Sequence, residues 1–156
     1  MFWADAGAEP VLLPAPGGSS YAIARSINES GKIAGWVNDT DAYGMSYAAL
    51  WIKSAGGRDL TVLPMPGCQQ SIALSINDAG QIVGLAVTDL GEFRAALWQP
   101  KSDGSYEMID LSSIVPGWFF DEAFCINDAG VIAVGGFQSD DPTMTYLPGL
   151  LFPESF

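Results

Sequence analysis

The chain has no histidine and only two cysteines, Cys68 and Cys125, among its 156 residues. Without imidazole there is no Cys–His zinc site, no His-based acid–base pair and no His-containing catalytic triad. The two thiols leave one disulfide or two reduced cysteines open; nothing in their spacing demands a bridge, and reduced thiols are the plainer reading. Basic side chains are scarce as well. Six Lys and Arg stand against eighteen Asp and Glu, a formal net charge of −12. Nucleic-acid backbones and anionic membrane surfaces repel such a chain, whereas a basic protein attracts it. No apolar run approaches the length of a membrane-spanning helix. The opening residues, MFWADAGAEP, contain neither the basic nor the apolar stretch of a secretory signal. That reading puts the chain in the cytoplasm as given, and outside the cell if a leader has been removed.

Repetition is what the sequence does have. SINDAGQIVG at Ser75–Gly84 is matched by SINESGKIAG at Ser26–Gly35 and CINDAGVIAV at Cys125–Val134. Gly17, Gly67 and Gly117 close the segments PAPG, PMPG and IVPG at intervals of 50 residues. Asn28, Asn77 and Asn127 keep intervals of 49 and 50, and Trp3, Trp51 and Trp98 keep 48 and 47. Three sets of landmarks agree on one period, which divides the chain into a partial unit 1–17, repeats 18–67 and 68–117, and a partial repeat 118–156.

Each full unit reads as four short strands. In the second, Ile72–Ile76 alternates apolar and small residues with the period of a strand, and Asn77-Asp78-Ala79-Gly80 forms a tight turn. Gln81–Val87 is apolar on both faces, as a strand between two layers should be. RAALW at Arg94–Trp98 and Tyr106–Leu111 follow as the third and fourth strands. YAALW at Tyr47–Trp51 and Asp59–Leu63 echo them in the first unit. A four-stranded antiparallel unit of this length, repeated, predicts an all-β fold of β-propeller-type blades. Parallel solenoid coils are usually shorter, and a β-sandwich would not need matching turns at every period.

The wording resembles the HAF family of extracellular repeats over nearly the whole chain. INDAGQIVG at Ile76–Gly84, AALW at Ala95–Trp98 and LPMPG at Leu63–Gly67 follow the order of that family's unit. The family's characteristic His is replaced by Tyr47 and Arg94, and its Phe by Ala49 and Ala96. The resemblance implies a propeller-like fold and no catalytic residues, because the shared positions are turns and core.

Read in order, MFW matches the end of a third strand and Val11–Leu13 a fourth. Two full units follow, then two strands and a third-strand candidate at Tyr146–Phe152, thirteen strands or about three blades. Closed propellers usually have four to eight blades. A larger ring that was truncated, an open capped arc, and a homodimer completing a six-bladed ring are the three resolutions. The homodimer is preferred, with the N-terminal strands of one chain finishing the last blade of its partner. The third-strand candidate would then compete with them.

The blade topology sorts the charges. The loops at one face hold Asp39, Asp41, Asp89, Glu92, Asp140 and Asp141. The segment PGWFFDEAF adds Asp121 and Glu122 beside Trp118, Phe119 and Phe120. Arg94 is the one base near them. Lys32, Lys53, Arg58 and Lys101 lie at the other face, mixed with Glu29, Asp59, Asp78, Asp103 and Asp128. Three consecutive aromatics with at least one facing outward, ringed by carboxylates, have the composition of a hot spot for an Arg- and Lys-rich partner. The same cluster would also stack on a sugar ring, which is the lectin alternative.

Catalysis is disfavoured. Asp140-Asp141 or Asp121-Glu122 would have to serve as a glycosidase pair without supporting groups. DTDAYG at Asp39–Gly44 begins like a calcium loop, but Tyr43 and Leu50 stand where oxygen ligands are required. The sequence therefore points to a non-enzymatic protein-binding module without cofactor or metal. It engages a basic macromolecule through its acidic face, as an immunity or inhibitor protein does. A fragment of a larger secreted repeat protein is the other non-enzymatic reading. Arg25 stands out in the strand position held by Leu74 and Phe124, lining a wet channel or meeting an acid across a subunit contact.

Overall fold

The computed structural model describes residues 10–16, 21–38 and 44–153. Within them the chain is all-β, with eleven strands in three antiparallel sheets and no α-helix. β1 (Ala22–Ile27), β2 (Ile33–Asn38), β3 (Ser46–Ser54) and β4 (Gly57–Val62) form the first sheet in chain order. β5 (Cys68–Ile76), β6 (Ile82–Thr88), β7 (Phe93–Pro100) and β8 (Tyr106–Asp110) form the second. β9 (Trp118–Ile126), β10 (Ile132–Gln138) and β11 (Leu147–Leu151) form the third, with β11 at its edge. The strands expected from periodicity overlap these elements throughout. Val11–Leu13 does not: it is irregular chain rather than a fourth strand. Met1–Trp3 lies outside the described residues.

The repeated motif shapes the first hairpin of each sheet. Gly80 turns at φ 83°, where any Cβ is strained, so the Asn-Asp-Ala-Gly turn closes between β5 and β6. Gly84 answers a second demand. The register of β5 against β6 slips between Ala73 and Ser75, and the bulge brings the Ile72 carbonyl so close that a Cβ on Gly84 would overlap it. Gly35 meets the Ile23 carbonyl in the same way. The motif's last glycine is thus a space requirement.

The sheets stack face to face, each first strand resting on the middle strands of the sheet before it. Ala34, Leu50 and Leu63 of the first repeat pack with Ala73, Ile76 and Trp98 of the second. Val83, Leu97 and Leu111 of the second pack with Phe120, Ile126 and Leu151 of the third. Burial of these apolar side chains is the main force holding the repeats together, at about 25 cal/mol per Å² removed from water.

The segment around Leu13 takes the place of a preceding linker. Leu13 packs against Val37, Ala49 and Trp51, and Trp51 Nε1 donates to the Pro14 carbonyl at 2.7 Å. One period on, Trp98 Nε1 donates to the Pro64 carbonyl at 2.7 Å. Each indole pins the Leu-Pro connection that leads into its own sheet.

Candidate functional site

Because every sheet is a meander, the β2–β3, β6–β7 and β10–β11 loops share one end with the β4–β5 and β8–β9 links. The β1–β2, β5–β6 and β9–β10 turns lie at the opposite end. Both ends gather functional groups, of different kinds.

At the loop end, Asp89 sits exposed in the β6–β7 turn and Asp140 exposed in the β10–β11 loop. Glu92 is held by Arg94 at 2.9 Å, and the same guanidinium binds Asp110 at 2.8 Å. The local base is therefore neutralised by two acids, one of them, Asp110, outside the expected set. Burial pushes Asp110 upward, but hydrogen bonds from Ser112 and Arg94 outweigh it and keep this carboxyl below its ordinary range. Asp141 accepts from the Thr143 hydroxyl and from the Thr143 and Thr145 amides, which lower it to about 2. Its first task is to shape its own loop. Asp39 and Asp41 lie outside the described residues.

The aromatic cluster differs from the expectation. Phe120 is buried and packs in the core between the second and third sheets, with half-buried Trp118 stacked on it at 5.9 Å. Phe119 is half-buried and stacks on Phe137 of the neighbouring strand at 5.3 Å. None of the three is an exposed anchor. The cause is a register slip between Gly135 and Gly136 that leaves Asp121 as the extra residue of β9. Strict alternation would have put Phe120 on the other face. The extruded Asp121 accepts a 2.6 Å bond from the Tyr146 hydroxyl, and the Tyr146 ring lies against Gly135. Burial, together with this bond, pushes the Tyr146 phenol well above its ordinary value.

Glu122 is half-buried; desolvation and then the Asp121 charge raise its pKa, while Arg25 pulls it down. Arg25 thus acts on an acid of the third repeat. Tyr146 and Phe137 carry no signal in the sequence that marks them, because both act through a bulge that periodicity does not show.

At the turn end, the repeated motif turns out to bond across repeats. Asn28 Nδ2 donates to the Asn77 carbonyl at 3.0 Å, and Asn77 Nδ2 donates to the Asn127 carbonyl at 3.1 Å. The Glu29 amide donates to Asp78 Oδ1 at 2.8 Å, and the Asp78 amide to Asp128 Oδ1 at 2.9 Å. In the reverse direction, the Ile76 and Ile126 amides each donate to a serine hydroxyl of the preceding repeat, Ser26 and Ser75, at 3.3 Å. Ser, Asn and Asp of one motif are therefore rungs of a single ladder. Asn28, Asn77 and Asn127 line an open mouth of about 550 Å³ at the turn end, with Glu29, Asp78 and Asp128 around it.

No family model matches the chain, and neither the curated proteins nor the solved structures contain a significant match.

Proposed function

We propose that the three sheets are propeller-type blades of the HAF-repeat kind and that the protein is a non-catalytic binding module. Its acidic loop end engages a basic macromolecular partner, in the manner of an immunity or inhibitor protein. The observation that supports this most is the charge balance of that end. Asp89, Glu92, Asp110, Asp140 and Asp141 share that end, and among the described residues of its loops the one base, Arg94, is already neutralised by Glu92 and Asp110. The surplus negative potential there speeds the approach of a cationic surface and is screened by salt. The stacked sheets, with paired hairpins and a shared interface geometry, support the blade reading.

The anchor role moves from Phe120 to the half-buried rims of Trp118 and Phe119, because Phe120 belongs to the core. The test is capture of a basic protein from native lysate, followed by binding kinetics at two salt concentrations. Asp89→Lys and Asp140→Lys, at exposed positions, should slow association and flatten its salt dependence. Salt-insensitive binding to a glycan array, with no basic protein captured, would replace this reading by the lectin.

A further inference from the structure

We propose that the outward face of the third sheet of one chain seats on the outward face of the first sheet of a second copy, so that two chains close a ring of six sheets. The proposal rests on reading the sheets as blades, and it is independent of what binds the acidic end. Each of three observations extends an interface that the chain already forms twice within itself.

The first is apolar. Leu50 and Leu97 hold the same register position, opposite Ala34 and Val83, and the following sheet buries both completely. Leu150 holds that position in the third sheet, opposite Ala133, and is 61% exposed. On the other side, Ile76 and Ile126 are buried at their inter-sheet junctions, while their counterpart Ile27 is 62% exposed. Ile27 lines a shallow pocket of about 250 Å³ with Ala24, Ile33, Ser26 and Arg25. One face lacks what the other offers.

The second is polar. At the outer side of the third repeat, the ladder ends in two donors, Asn127 Nδ2 and the Asp128 amide. Their equivalents in the first two repeats donate to the next repeat. At the outer side of the first repeat it ends in two acceptors, the Asn28 carbonyl and the Glu29 carboxylate. Donors face acceptors only when the third repeat of one copy meets the first repeat of another. Pairing two third repeats would oppose donor to donor. Cys125 stands where Ser26 and Ser75 accept an isoleucine amide; it is exposed in the single chain and would face the Ile27 amide of the second copy.

The third is a strand edge. β3 and β7 each carry a fourth strand, whereas among the described residues β11 is the edge of its sheet. Val11 and Leu12, 81% and 86% exposed, precede Leu13 as Thr61 and Val62 precede Leu63. Thr61 pairs with Leu50 and Val62 with Ala49. In the closed ring, Val11 and Leu12 of the second copy pair in the same way with Leu150 and Gly149, adding a strand to the open edge. This is the two-fold closure that a head-to-tail contact made twice produces.

Sedimentation of the full chain, with reaction of the Cys125 thiol, tests the proposal. The parent should form a discrete dimer in which the Cys125 thiol is protected, and dilution should expose it. Ile27→Glu and Leu150→Glu change residues exposed in the single chain, so both should fold, as circular dichroism verifies. Each should weaken the dimer about 30-fold or more by placing a carboxylate in an apolar contact. An equimolar mixture of the two single variants should recover association that neither shows alone, because one intact pair of faces remains. The double variant should not associate. A monomer at about 100 µM, a dimer indifferent to both substitutions, or no recovery on mixing would each overturn the proposal. Loss of the dimer with retained binding of a basic protein separates this contact from the acidic end.

Discussion

At the scale of single residues, one letter of the repeat does several jobs. Asn77 closes its turn by accepting from the Gln81 amide at 2.9 Å, donates to Gln81 Oε1 at 2.7 Å and reaches the Asn127 carbonyl. It is also buried. Asn77→Ala removes three bonds and strands their partners, so urea denaturation should show a loss of about 2–4 kcal/mol. Asn127 makes the same turn but is exposed and donates to no later repeat, so Asn127→Ala should cost about 1 kcal/mol at concentrations where the chain is single. Equal losses would separate the asparagine's importance from the ladder.

Glu122 offers a test with a definite sign. Its folded pKa is raised, so the folded state binds its proton more tightly than the unfolded chain does. Its contribution to stability is present in full below the unfolded pKa and is lost as pH rises through the folded one. At neutral pH the charged Glu122 is therefore a burden. Glu122→Gln should melt at a higher temperature than the parent at pH 7, and the gap should close near pH 4, where the parent is protonated. A gap that widens on acidification would show that Arg25, rather than burial, governs this group.

Among elements, β9 departs most from its equivalents. The slip at Asp121 turns Phe120 into the core, so Phe120→Ala should destabilise by about 3–5 kcal/mol. Any loss of partner binding should then follow unfolding, and calorimetry alongside binding separates the two. Periodicity made the turns, the strand order and the inter-sheet core legible, because alternation and recurring Asn-x-x-Gly respond to local backbone demands. The bulge at Asp121 was not legible: β9 carries two register slips, and this one turns Trp118–Phe120 relative to the rest of the strand without changing composition. Val11–Leu13 failed as a strand for a different reason. Its apolar letters match a fourth strand, but a strand needs an edge beside it, and among the described residues Leu13 instead packs on Trp51. Of the acids that topology assigned to one end, Asp89 and Asp140 stand exposed in its loops, Asp121 and Glu122 lie within β9, and Asp39 and Asp41 lie outside the described residues. Asp141, Glu92 and Asp121 are engaged in local bonds that charge counting does not see.

For the whole molecule, the ladder gives the stack a direction. The Asn and amide rungs always run from the earlier repeat to the later, and each serine receives in return. A repeat placed backwards would meet its neighbour with mismatched groups, so order along the chain and order in space are locked together. Growth by duplication follows from this. A copied segment equivalent to 68–117, set between residues 117 and 118, would present acceptors to the repeat before it and donors to the repeat after it, with no further change required at either neighbour. Such a molecule can lengthen in whole repeats, each new rung bonded as Asn28 is to Asn77 and Asn77 to Asn127.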